Sequence, residues 1–393
     1  MNSQNLPEKS NFQNRKGIEA ITGSGNFDIS EWMLLKYIEW LTNRQGTIAI
    51  LCKYSVARKA FRQMQTNNGP YFEGHVYPFD AKEYFNASVD ACLFVLISTE
   101  QKRDCIVYDD IQTREVKYEI GERDGFVLKD VKVYERLKHL RGQAAKYIWR
   151  SGVKHDCSKI MEFTIEDSSY RNGLNEEVKL EKKYLYPLLK SSDVANGRTN
   201  TWRKEVLITQ KKVGEETKSI AINAPKTWDY LLKHRDYLDK RTSSIYRDKP
   251  DFSVFGIGPY TFKEWKIAIS GMYKKLSFEI VGPLGDRLVI FDDTVYFLSF
   301  DTEEEANFIY TMLTSIPAQQ FFESMIFWDE KRPITAAILR RLSLKSLSQE
   351  LDLYDKYMSY SSYSDGNQPG QLSLGIAENS SDYSTQASNS EVS

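Results

Sequence analysis

Two apolar runs constrain this chain most. Thr47-Ile48-Ala49-Ile50-Leu51-Cys52 and Val89-Asp90-Ala91-Cys92-Leu93-Phe94-Val95-Leu96-Ile97 carry almost no polar alternation. A strand with one wet face alternates apolar and polar residues, so these runs predict strands buried on both faces, as in a parallel sheet covered by helices. Before the first run, Leu34, Tyr37, Ile38 and Leu41 recur at helical spacing, and Asp28 stands three residues ahead of Glu31. That pattern predicts a capped helix from about Ser30 to Asn43, ending before Gly46. A basic, helical stretch with Arg58, Lys59 and Arg62 lies between the runs, followed by a polar break at Asn67-Asn68-Gly69-Pro70. The result is an α/β layer too small to stand alone, because one helix and two main strands cannot cover both faces of a sheet.

From about Cys105 the pattern changes to short segments rich in Val, Ile, Tyr and Phe, separated by Gly, Asn, Asp and Pro. This predicts an α+β region with much β structure, running to about Leu347. Within it, Thr302 and Glu305 form a second capping pair ahead of Ala306, Ile309, Tyr310 and Leu313. After about Tyr354 the aliphatics give way to Ser, Asn, Asp and Gln, the composition of a disordered tail. The expected fold class is therefore α/β plus α+β, with domains at 1–105 and 106–350 and a disordered acidic tail at 351–393.

Several function classes are excluded. No apolar run approaches the roughly 18 residues of a spanning helix, and the N-terminus lacks a signal-peptide stretch, so the expected address is cytoplasmic. Cys52, Cys92, Cys105 and Cys157 show no CxxC spacing and read as reduced thiols, with no metal site expected. There is no GxxxxGK[ST], HExxH or GxSxG, and no GxGxxG between a strand and a helix. Asp110, Glu115 and Lys117 match the acidic-x-Lys core of metal-dependent nucleases too weakly and read as a solvated strand edge. His155-Asp156-Cys157 lacks the Glu and CxxC of a zinc deaminase and reads as an exposed loop.

The 53 Lys+Arg against 54 Asp+Glu give a net charge of -1, which as an average argues against a nucleic-acid partner. Residues 348–393 hold seven acids and one lysine, so the remainder is net +5. The densest signal runs from His234 to Lys275, where nine Lys/Arg and five Asp/Glu are interleaved with Tyr237, Tyr246, Phe252, Phe255, Tyr260, Phe262, Trp265 and Tyr273. Cations among aromatic planes suit phosphates and bases, although a β-rich core with a solvated face fits this composition somewhat better taken alone. Two further basic stretches, Lys138 to Lys159 and Lys331-Arg332 with Arg340 and Arg341, move the balance towards an extended anionic partner.

The order of features resembles the C-terminal half of adenine-specific DNA methyltransferases of the gamma, TaqI-like type. The segments FDISEWMLLKYIEWL, GTIAILCK, KEYFNASVDACLFVLI, RTSSIYRDKPDFSVFGIGPYTF with WKIAISGMYKK, DDTVYFL, TSIPAQQFFESM and FWDEKRPITAAILRRLSL carry the resemblance, from about Leu6 to Leu347. It implies the end of a class I methyltransferase (Rossmann-like) sheet followed by a β-rich target-recognition domain. In that family an Asn-Pro-Pro-aromatic loop accepts hydrogen bonds from the exocyclic amine of a flipped adenine and turns it towards S-adenosylmethionine. The resemblance begins after that loop, so no catalytic or cofactor-binding residue is expected in this chain, and S-adenosylmethionine is expected to serve the complete enzyme only. Asn67-Asn68-Gly69-Pro70-Tyr71 and Gly23-Ser24-Gly25 imitate the missing motifs, but one has Gly for the first Pro and the other follows no strand.

One family position matches: the aromatic that stacks on the flipped adenine corresponds to Phe85, where a core aromatic at a strand start is the competing reading. Lys53, just past a buried strand, would lie at the carboxyl edge where α/β sheets bind ligands, or simply cap that strand. The DNA-contacting set expected from the resemblance and the basic stretches is Lys53, Arg58, Arg241, Tyr246, Arg247, Lys249, Tyr260, Lys266, Lys274, Lys275, Lys331 and Arg332. The expected partners are double-stranded DNA and an N-terminal methyltransferase half in trans, with no membrane. A truncated gene product, a stand-alone DNA-binding module and a non-DNA interaction protein remain the alternatives.

Overall fold

In the computed structural model, residues 28–42, 44–66, 71–142, 146–166 and 169–362 are described. The two motif imitations therefore lie wholly or largely outside the described residues, as does the tail beyond Ser362. Asp28 caps helix α1 (Ile29–Leu41) by accepting from the Ser30 amide at 3.0 Å. Glu31 is buried and takes the Lys59 ammonium at 2.6 Å.

The first sheet has the order β1-β3-β2-β4-β5-β6. Its strands are β1 (Thr47–Lys53), β2 (Tyr71–Asp80), β3 (Asp90–Thr99), β4 (Cys105–Tyr108), β5 (Val116–Arg123) and β6 (Phe126–Leu128). The sheet thus runs past Cys105, where the sequence pattern changes. α1 and helix α2 (Tyr54–Thr66) pack one face, where Leu34, Val56, Ala60 and Phe61 meet Ile48, Cys52, Val76, Cys92, Phe94 and Leu96.

The expectation of parallel strands covered on both faces is not met. β3 runs antiparallel to both β1 and β2, and only the β2–β4 pair is parallel. Burial alternates along β1 and β3, so Ala49, Leu51, Leu93, Val95 and Ile97 point to the opposite face, with Leu51 54% and Ile97 41% exposed. The runs look continuous because both faces are apolar; among the described residues only one is packed by α1 and α2. β1 is also an edge strand, with no described strand on its outer side.

The α+β body contains two further sheets. One has the order β10-β9-β8-β12-β11-β15 and the other β14-β13-β16-β7. In chain order these strands are β7 (Arg150–Ser151), β8 (Glu162–Glu166), β9 (Ser169–Asn172), β10 (Glu177–Val178), β11 (Leu185–Leu189), β12 (Lys204–Leu207), β13 (Trp265–Ser270), β14 (Phe278–Val281), β15 (Ile290–Phe291) and β16 (Val295–Phe300). Among the contacts that join the first sheet to this body are two that bear on the site. Helix α3 (Ala81–Phe85) is followed in the chain by helix α4 (Val131–Leu137), whose Tyr134 stacks on Phe321, and Phe322 packs on Phe278 of β14. The other tie is Arg58 of α2, described below. The described residues up to Tyr354 form one compact unit. In the segment expected to be disordered, Tyr354–Ser362 is helical.

Candidate nucleic-acid interface

The site is built around one turn. Helix α5 (Ser191–Ala195) follows β11, and Ser191 donates its hydroxyl to the Thr294 carbonyl at 2.8 Å. The Gly271 amide donates to the same carbonyl at 2.9 Å, at the start of the β13–β14 loop. A Cβ on Gly271 would stand 2.8 Å from the Tyr296 ring and 3.2 Å from the Ile334 carbonyl, so only glycine allows this approach. Next in the turn, Asp293 pairs with Arg332 at 3.7 Å. Four segments remote in sequence, around 191, 271, 294 and 334, thus meet at one largely buried junction.

The β13–β14 loop projects Met272, Tyr273, Lys274 and Lys275, all exposed. The Ser270 hydroxyl accepts from the Met272 and Tyr273 amides and shapes the turn. Lys274 lines an open cleft of about 490 Å³ together with Lys53, Ser55, Asp80, Lys82, the stretch Ala87–Asp90 and Asp329. Phe85 ends α3 beside this cleft and is 61% exposed, its ring edge-on to Phe79 at 6.0 Å. Asp80 caps α3 through the Lys82 and Glu83 amides, and Asn86 closes it in the left-handed region at φ 51°. A helix of five residues closed at both ends holds the ring outward. The competing reading of Phe85 as a core aromatic is not what the structure shows.

Other expected contacts fall differently. Lys53 reaches the cleft and also pairs with Asp28 at 2.8 Å. Arg247, Lys249, Lys275 and Lys331 are exposed. Arg58 is buried and is withdrawn from any phosphate: it bonds Asp329 at 2.9 Å and Glu330 at 2.8 Å and lies over the Phe327 ring. Arg241 donates to the carbonyls of Leu238 and Ser253 and stacks on Tyr246 at 3.8 Å, while the Tyr246 hydroxyl donates to the Lys154 carbonyl. Both fasten internal loops. Tyr260 lies half-buried under Arg150 and against Phe297. Lys266 is fully buried in β13, its ammonium 2.5 Å from the Lys263 carbonyl, and burial pushes its pKa down to about 7. These residues are apolar-facing or internally bonded because the strand and loop patterns that carry them also build the core.

His155 is likewise buried, 3.5 Å from Glu162, rather than in an exposed loop. Burial would raise the Glu162 carboxyl, but hydrogen bonds from His155, Lys190 and Lys204 hold it down at about 2. Lys190 and Lys204 bond its two oxygens at 2.6 and 3.0 Å, adding cations beside α5 that the sequence did not single out. Lys82 was missed as well; its short helix gives no charge run to notice.

β1, β2 and β4 run into Tyr54-Ser55, Ala81 and Asp109, not into a glycine-rich turn leading from a strand to a helix. Among the described residues no helix is long and apolar enough to cross a membrane.

No family model matches the chain. It is similar to the type II methyltransferase M.NspV of Nostoc sp. (strain ATCC 29411 / PCC 7524), 45% identical over 353 residues that make up 89% of this chain and 73% of that protein. Among solved structures, the type IIL restriction-modification enzyme MmeI in complex with DNA matches 91% of this chain and 49% of its own, at 14% identity and a TM-score of 0.45. The type IIG restriction endonuclease BpuSI matches 79% of this chain and 42% of its own, at 12% identity and a TM-score of 0.33. The chain spans half or less of the length of each of these two structures. By its likeness to the Nostoc protein, the chain belongs to the type II methyltransferases.

Proposed function

We propose that this chain supplies DNA target recognition and part of the flipped-base pocket of a site-specific, adenine-N6 DNA methyltransferase of a restriction-modification system. S-adenosylmethionine and the Asn-Pro-Pro-aromatic loop are then held by a further methyltransferase segment, in the same or another polypeptide. That segment docks on the apolar outer face and on the edge of β1 that no described strand pairs. The observation that carries the reading is the outward Phe85 ring beside a cleft lined by Lys53, Lys82 and Lys274 together with Asp80, Asp90 and Asp329. Just over a quarter of the Nostoc relative lies outside the match, enough chain to complete the sheet. An edge strand with apolar residues on both faces is an association surface unless something covers it.

In this reading, Phe85 stacks on an adenine taken out of the duplex, since the amine is otherwise engaged in pairing. Lys82, Lys274, Lys275 and Lys331 neutralise phosphates around it. A salt titration of duplex affinity tests the binding: a steep fall between 50 and 200 mM salt is expected, and each phosphate-contacting lysine changed to Ala should reduce the log–log slope by about one. A flat salt response would overturn the reading. Adenine methylation is expected only when the completing segment is supplied, so methylation by the chain alone would overturn the division of labour. Phe85→Ala in the completed enzyme should lower turnover at limiting substrate roughly 5- to 100-fold, the worth of one stacked base, with folding unaffected.

A further inference from the structure

We infer that Arg198 and Arg203 read guanine in the major groove, held in register by the buried carboxylate of Asp193. The inference rests on the target-recognition reading above and names side chains for it. Asp193 lies in α5 with its side chain 12% exposed, while Arg198 and Arg203 are 50% and 73% exposed. One carboxylate oxygen accepts from Arg203 at 2.9 Å and from Arg198 at 3.5 Å. The other accepts from the Lys190 amide at 3.1 Å, which fixes the carboxylate to the start of α5. Arg198 also donates to the Ser192 carbonyl at 3.1 Å. The three charged side chains and Thr201 line a second open cleft, of about 250 Å³.

The arrangement differs from an ordinary surface ion pair. Two long cations share one immobile anion, so the cluster keeps a net positive charge and each guanidinium keeps N–H donors that its brace does not use. Guanine presents O6 and N7 side by side in the major groove, and a planar guanidinium fork matches that pair bidentately. Immobilising the fork beforehand removes part of the ordering cost that a free arginine meets on binding. The position suits the role. Ser191, two residues before Asp193, shares the Thr294 carbonyl with Gly271, whose loop carries Lys274 to the cleft beside α3. The reading side chains and the cleft that Lys274 lines are thus linked through one turn.

The test is selection of binding sites from a randomised duplex library by the full chain, repeated with Arg203→Lys, Arg203→Ala and Arg198→Ala. The unaltered chain should enrich a site containing guanine at fixed positions. Arg203→Lys keeps the charge but loses the fork, and should flatten the preference at one guanine by roughly tenfold or more while overall affinity stays within a few-fold. Arg198→Ala should relax a different guanine, or the same one where both forks converge. Lys274→Ala, by contrast, should weaken all sequences alike. If the chain selects a site and all three arginine variants select it with the same base preferences, the inference is overturned and these arginines meet phosphate only. If the unaltered chain binds no duplex, it is the target-recognition reading itself that fails.

Discussion

Lys266 illustrates how a basic residue in a promising stretch can serve another end. It stands between Trp265 and Ile267 on a central strand, bonded to the Lys263 carbonyl, and among the described residues no carboxylate pairs with it. Its folded pKa, about 7, lies below the unfolded value of 10.5, so between those values the unfolded chain binds more protons and stability rises with pH. Urea unfolding between pH 6.5 and 9 should show that rise, and Lys266→Met should remove it and raise stability at neutral pH. Arg58 makes a second case. Arg58→Ala strands two carboxylates that still partly reach water, so a loss of about 2–4 kcal/mol is expected in denaturant melts. Neither burial was legible beforehand: Lys266 and Lys274 sit in one basic, aromatic block, and only strand register assigns one inside and one out. Phe85 was singled out by a matching segment and not by its composition; its ring is exposed, and its stacking role belongs to the proposal above.

At the scale of elements, spacing served helices better than strands. Periodicity and caps located α1 to within two residues and the helix at Glu303–Leu313, whose cap Thr302 accepts from the Glu305 amide. In both, the glutamate also turns inward, Glu31 to Lys59 and Glu305 to Lys146 and Tyr147. Strand direction was out of reach, since an apolar run states that both faces want cover and says nothing of which neighbour it pairs with. Glu162 shows what sequence distance hides: one carboxylate on β8 gathers His155, Lys190 and Lys204. Its folded pKa, about 2, lies below the usual 4.5, so its stabilisation is present above pH 4.5 and lost as pH falls towards 2. Glu162→Gln should flatten that part of an acid-unfolding curve and loosen the α5 region in hydrogen exchange.

For the whole molecule, the first sheet is the informative part. Its outer face exposes Leu51 and Ile97 beside an edge that no described strand pairs, a combination soluble proteins normally blunt. Leu51→Lys should suppress self-association of the isolated chain, seen by light scattering, and abolish complementation by a methyltransferase segment, while duplex affinity changes less than about twofold. Unchanged complementation would place the completing segment elsewhere. The Asp193 cluster carries a consequence for descent. The brace belongs to a helix pinned at Thr294, whereas the two arginines belong to the connection that follows it. Anchor and reader are therefore separately heritable: a lineage can exchange the residues at 198 to 203 and acquire a new recognition sequence while the socket, and the cleft it adjoins, pass on unaltered.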